Sequence, residues 1–313
     1  MENKINRITD ILRRDDGISG AMHYTEQISW ILFLKFLSDL EDSKYIDAQL
    51  DGENYTYILE EKYRWNIWAA PKKDGKIDLL NAQSGDDLLE FVNKELFPYL
   101  KSFKSISENP KSIKYKIGAI FEFLDNRIAN GHTLREILDI IDNMDFHSQS
   151  DLFQLSIIYE KLLKDMGSDG GNSGEFYTPR PLIKVITDVV NPTIGQTIYD
   201  PAVGSCGFLI EAYNHIRYID VEKNIQRELS TDQLKFLNED TFFGNEKTPL
   251  SYVMGVMNMI LHGVESPNIS KTNTLTRDIR SIEEKERFDI ILANPPFGGK
   301  SNQTLPSCCF CNT

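Results

Sequence analysis

The chain has 313 residues, a formal charge of −13 and the apolar and charged fractions of an ordinary globular protein, which at ~100–200 residues per domain leaves room for two domains. The acidic balance excludes indiscriminate nucleic-acid binding through this chain alone, so any DNA contact is expected to be local or shared with a more basic partner. The charged start, "MENKINRITDILRRDD", has no apolar core of signal-peptide type, and the apolar cluster Trp30 to Leu37 is broken by Lys35 and far short of the ~18 residues of a membrane span. A soluble, cytoplasmic protein without a membrane contact is the expectation.

Residues 1–165 read as a helical domain. "EQISWILFLKFLSDLED" sets Ile28, Ile31, Leu32, Phe36 and Leu40 at helical spacing, and similar patterns recur in "DDLLEFVNKELFPYLKSF", "SIKYKIGAIFEFLDNRI" and "LREILDIIDNM". Trp65 and Trp68 lie between the first two of these helices, and their size predicts packing rather than a ligand face. A composition shift at "KDMGSDGGNSGEFYTPRP", Lys164 to Pro181, marks a linker or a loop over a site.

Residues 166–313 then alternate. "QTIYD" predicts a strand, "GFLIEAYNHI" a helix, "DTFFGNE" a strand, and "TPLSYVMGVMNMILHG" a helix capped by Thr248 with Pro249 in its first turn. "FDIILA", Phe288 to Ala293, predicts a strand covered on both faces. This pattern is that of a Rossmann-like α/β domain, a parallel sheet whose ligands sit at the carboxyl ends of its strands.

Four stretches at those ends carry candidate chemistry. In "YDPAVGSCGFLIEA" a strand ends at Asp200, and Gly204 and Gly207 open a helix, where glycine lets the backbone approach a ligand; a tight turn alone explains the same residues. Glu246 ends the next strand, placed either to accept from ribose hydroxyls or to cap the next helix. In "GEFYTPRP" Thr178 is placed to cap a helix beginning at Pro179, and Phe176 and Tyr177 stand beside the glycine-rich loop. In Asn294-Pro295-Pro296-Phe297 the prolines forbid both helix and ladder. An amide oxygen and a carbonyl held there can both accept from one exocyclic amine while the ring stacks on its base, so the site would bind adenine or cytosine flipped from a duplex; an ordinary Pro-Pro turn is the alternative.

Taken in order, "GEFYTPRPLI", "DPAVGSCGFLIEA", "GNEKTPLSYVMGVMNMILHGVESPNI", "TNTL" and "FDIILANPPFGGK" resemble the modification subunit of type I restriction-modification systems, an N6-adenine DNA methyltransferase family. "ILFLKFLSDLED" and "LREILDIIDNMDF" are similar to that family's helical amino-terminal domain. The resemblance implies S-adenosyl-L-methionine as cofactor and no metal. Glu175, Phe176, Tyr177, Thr178, Pro179 and Arg180, with Asp200, Gly204, Ser205, Cys206 and Glu246, would bind the cofactor. Asn294, Pro295, Pro296 and Phe297 would be catalytic. The family more often has Gly or Ala where Cys206 stands, so its sulfur is expected near the cofactor's methionine end. Implied partners are DNA, a specificity subunit and a second modification subunit, with room for a restriction subunit.

The tail "SNQTLPSCCFCNT" does not resemble the family's sequence beyond the tetrad. Its Cys308, Cys309 and Cys311 lack a histidine or a second cysteine pair, so it reads as a loose tail and not a metal site. The α/β domain is therefore expected to be incomplete at its carboxyl end, with "FDIILA" at a sheet edge. A catalytically inactive remnant that keeps only partner or cofactor binding is the alternative to an active enzyme.

Overall fold

The computed structural model describes residues 2–73, 76–78, 80–144, 146, 157, 159, 161–162, 178–221, 223, 225–264, 266–276 and 282–294. The segment 163–177, Pro295 to Phe297 and the cysteine-rich tail, all singled out above, lie outside them. The chain divides into two compact units, Met1–Gly170 and Gly171–Thr313.

The first unit is helical. α1 (Glu2–Leu12) precedes α2 (Ala21–Asp51), which ends where Gly52 takes the left-handed conformation, φ 73°, that glycine adopts without strain. Trp30, fully buried on α2, meets Phe97 edge-on at 5.2 Å and donates its Nε1 to Gln27 Oε1 at 2.9 Å. α3 (Trp65–Trp68) buries both of its tryptophans, and Trp65 donates to Asp142, so packing is their role in this unit. A short antiparallel pair comes next, β1 (Lys72–Lys73) with β2 (Lys76–Ile77). α4 (Gly85–Phe91) then passes through a π-helical turn, Val92–Leu96, into α5 (Phe97–Ile106). Pro98, which has no N–H to donate, sits where the helix widens, a local cause for the turn.

α6 (Ile113–Phe121) stops well short of the helix predicted through Ile128. The reason lies in α2 and in the turn before it. Gln27 donates to the Asp125 carbonyl and accepts from Arg127 N, and Asp15 accepts from Ala129 N and Asn130 N. These side chains satisfy the backbone that a longer helix would have used. α7 (Gly131–Asp142) then starts at Asn130, whose side chain accepts from His132 N and Thr133 N.

Among the described residues the second unit is built on a four-stranded parallel sheet. α8 (Arg180–Val190) leads to β3 (Ile198–Asp200), α9 (Gly207–Arg217) and an antiparallel pair of β4 (Tyr218–Asp220) with β5 (Ile225–Gln226). α10 (Thr231–Glu239) comes after these, then β6 (Phe242–Glu246), α11 (Pro249–Leu261), β7 (Asn268–Lys271) and β8 (Ile290–Ile291). The order is β7-β6-β3-β8, which brings the ends of β3 and β6 side by side, Asp200 opposite Gly244. α11 is apolar on every side and buried from Ser251 to Leu261.

Two expectations change. The strand predicted from Phe288 to Ala293 is ladder-paired only at Ile290–Ile291, because Asp289 and Thr197 bond to each other through their side chains at its entry. It is also not covered on both faces, since Ile291 is 64% exposed while Leu292 is buried. β8 has one neighbour, β3, among the described residues, which is the edge position expected of it.

Candidate active site

The backbone of residues 200–206 is folded by its own bonds. Asp200 is buried, and its Oδ1 accepts from Ala202 N at 2.9 Å, closing a turn with Pro201 inside it. Cys206 N donates to the Val203 carbonyl at 2.7 Å, and Gly204 and Cys206 both have positive φ, 49° and 62°. For glycine this is free. For cysteine it costs on the order of 1–2 kcal/mol, which the surrounding packing has to offset.

That packing comes from α11. A Cβ on Gly255 would lie 2.7 Å from the Gly204 carbonyl and 2.8 Å from Cys206 Sγ, so only glycine lets the helix come this close to the loop. Three residues along the same helix, Asn258 donates its Nδ2 to the Ser205 carbonyl at 2.8 Å. Asn258 is fully buried and its Oδ1 has no hydrogen-bond partner among the described residues.

Strand β6 holds the loop from the sheet. The Asn245 carbonyl accepts from Val203 N at 3.0 Å, and Glu246 Oε2 accepts from Gly204 N at 3.0 Å. Glu246 Oε1 accepts from Thr248 N at 2.8 Å and from Thr248 Oγ1 at 2.7 Å. Thr248 is the residue before α11 and Pro249 its first, as expected, but the threonine hydroxyl makes no capping bond and turns back to Glu246.

The start of α8 joins a second cluster. The helix begins at Arg180 with Pro179 as its cap residue, so Thr178 does not cap it. Instead Thr178 Oγ1 accepts from Asn294 Nδ2 at 3.1 Å, a contact across 116 positions of sequence. Arg180, two residues on, donates Nη1 to the Gly207 carbonyl at 3.0 Å, beside the glycine loop.

A family model described as N-6 DNA Methylase matches residues 149–308, and one described as HsdM N-terminal domain matches residues 1–141. The chain belongs to the N-6 DNA methylase family. It is 35% identical over 297 residues to the EcoEI type I restriction enzyme methylase subunit of Escherichia coli, covering 94% of this chain and 56% of that protein. It is 28% identical over 314 residues to the StySPI methylase subunit of Salmonella potsdam, covering 96% of this chain and 51% of that one. Among solved structures, a modification subunit assigned to a type I restriction enzyme of Vibrio vulnificus YJ016 aligns with a TM-score of 0.81 at 34% identity, over 97% of this chain and 62% of that one. A second, from a type I R-M system, aligns with a TM-score of 0.72 at 38% identity, over 96% and 56%. The chain spans about half the length of the curated relatives it matches.

Asp200, Gly204, Ser205, Cys206 and Glu246 come together at the ends of β3 and β6, with Arg180 against the same loop. Thr178 and Asn294 form the second cluster. Glu175, Phe176, Tyr177, Pro295, Pro296 and Phe297 are outside the described residues. Cys206 is fully buried, with its sulfur against Gly255. Burial, then the nearby Asp200 and Glu246 charges, push its thiol well above the usual range, so it is a packed, protonated side chain.

Burial sets the other charges too. It raises Asp200 to about 7, with Glu246 adding to the shift and the Ala202 N–H opposing it. It lowers Arg180 to about 10 against the pull of Glu211. His262 is held neutral, down to about 3, by burial and by the Arg180 charge. Asn258 and His262 escaped the sequence reading, although a lone asparagine within "YVMGVMNMIL" is an anomaly that signals a buried polar contact.

Proposed function

We propose that the chain is an S-adenosyl-L-methionine-dependent, adenine-N6 DNA methyltransferase subunit of a type I restriction-modification system. The bond between Asn294 and Thr178 carries the reading. Because the Asn294 amide nitrogen is committed to the threonine hydroxyl, its amide oxygen is oriented to accept, which is what an exocyclic adenine amine requires. Pro295 would add its carbonyl as a second acceptor, Pro296 would hold the corner rigid and Phe297 would stack on the flipped base.

The residues around the glycine loop suit the cofactor. A carboxylate has about four lone-pair sites, and Glu246 uses three of them on Thr248 N, Thr248 Oγ1 and Gly204 N, leaving one for a ribose hydroxyl. Asp200 and the backbone of Gly204, Ser205 and Cys206 would line the methionine end, and Glu175 to Arg180 would close over it. When bound, S-adenosylmethionine supplies an electrophilic methyl group on a sulfonium. The protein's part is then to orient the amine lone pair of adenine and exclude water, and no general base is required for that positioning.

Sequence choice would come from a specificity subunit, with a second modification subunit sharing the DNA surface and a restriction subunit joining where cleavage occurs. The charge of −13 supports a shared DNA surface. No described helix is long and apolar enough to cross a membrane, and a DNA substrate would suit a protein of the cytoplasm. The domain boundary near residue 165 separates the helical from the methyl-transfer part.

Titration calorimetry with S-adenosylhomocysteine at fixed salt tests the reading. The folded chain should bind it, and Glu246→Ala should weaken binding by about tenfold or more, the loss of a charged hydrogen-bond acceptor. A folded chain that takes up no cofactor contradicts the proposal.

A further inference from the structure

The glycine loop has one more hold, from a part of the chain with no place in the chemistry above. Thr274 lies in the "TNTL" just after β7. Its hydroxyl donates to the Pro201 carbonyl at 2.7 Å and accepts from Asn245 Nδ2 at 3.1 Å. The same Nδ2 reaches the Tyr199 hydroxyl at 2.7 Å, and the Asn245 carbonyl takes Val203 N. One half-buried hydroxyl therefore ties the exit of β7, the end of β6 and the turn after β3 into a single polar knot.

We propose that Thr274 is a positioning residue that fixes the turn Pro201–Gly204 and thereby sets the Gly204 N–H against Glu246. The proposal rests on the cofactor reading of this loop. The turn needs such a clamp because Gly204, its positive-φ residue, belongs to no helix or strand ladder, and among the described residues the Pro201 carbonyl has no ladder partner of its own. A loop ordered before the ligand arrives leaves less ordering to be done on binding, and that difference appears as affinity.

Two readouts on the 313-residue chain test it, amide hydrogen exchange at Val203 and Gly204, and affinity for S-adenosylhomocysteine. Thr274→Val keeps the shape and removes the hydroxyl. Exchange at both amides should rise about tenfold while Leu209 in α9 is unchanged, affinity should fall about tenfold, and Thr274→Ser should restore both to within about twofold. Unchanged exchange in Thr274→Val overturns the proposal, and faster exchange with undiminished affinity overturns it as well, reducing Thr274 to a structural contact. If Thr274→Val does not fold, Tyr199→Phe, which removes a partner of Asn245, is read in the same way and should raise exchange at Val203 and Gly204 about threefold. A folded wild type that binds no cofactor defeats the assignment of the site, and the clamp is then decided by exchange alone.

Discussion

The two units differ in what holds each of them together. In the helical unit the interior is made of interlocked rings: Trp30 and Phe97 meet edge-on at 5.2 Å, and Phe97 and Phe121 at 5.3 Å. In the α/β unit the parts that define the candidate site are joined by single hydrogen bonds between residues far apart in sequence, Asn258 to Ser205, Glu246 to Gly204, Thr178 to Asn294. Apolar burial gives stability and tolerates small shifts. Polar bonds between strand ends add less free energy but set positions.

The largest effect should come from the helical interior. Trp30→Ala should lower stability by about 3–5 kcal/mol in urea unfolding, the range for a large aromatic cut from a packed core. A loss under about 1 kcal/mol would show that the ring contacts do not carry that unit.

Asp200 sharpens the contrast through pH. Its carboxyl stands at about 7 when folded, above its ordinary value, so the folded state holds the proton more tightly than the unfolded one. The stability this gives is full below the ordinary carboxylate range and is lost as pH rises through about 7. The loss should be on the order of 2–4 kcal/mol across that window. Asp200→Asn has no proton to release, so this part of the decline should vanish from its stability profile, and an unaltered profile would refute the burial argument.

Gly255→Ala should cost about 1–3 kcal/mol, because its methyl group would overlap the Gly204 carbonyl and Cys206 Sγ. It should also weaken S-adenosylhomocysteine binding, which an equivalent loss in the helical interior would not. The smallest effect belongs to Ile291→Gln on the open face of β8, within about 0.5 kcal/mol of wild type by urea unfolding.

Which features were legible depends on the same distinction. Helical periodicity exposed α2, α5 and α7, and the alternation of strand and helix exposed the parallel sheet, because both are patterns along the chain. α6 was over-extended since its end is set by Gln27 and Asp15, about a hundred positions away. The capping box of Ser230 and Gln233 at α10 was a local signal that went unread. At the site, Asp200, Gly204, Glu246 and Asn294 stood out by residue type and place. The partner of Thr178 did not, because a threonine before a proline carries the same local signal whether it caps a helix or meets an asparagine brought in by the sheet.

Methyl transfer tests the central claim most directly. Supplied with a specificity subunit, its target DNA and S-adenosylmethionine labelled in the methyl group, the wild-type chain should place label on adenine N6. Asn294→Ala, which leaves Glu246 and the glycine loop untouched, should keep its affinity for S-adenosylhomocysteine and lose about a hundredfold or more in transfer, the scale expected when a reacting group is no longer held in place. Transfer at the wild-type rate by Asn294→Ala would contradict the account.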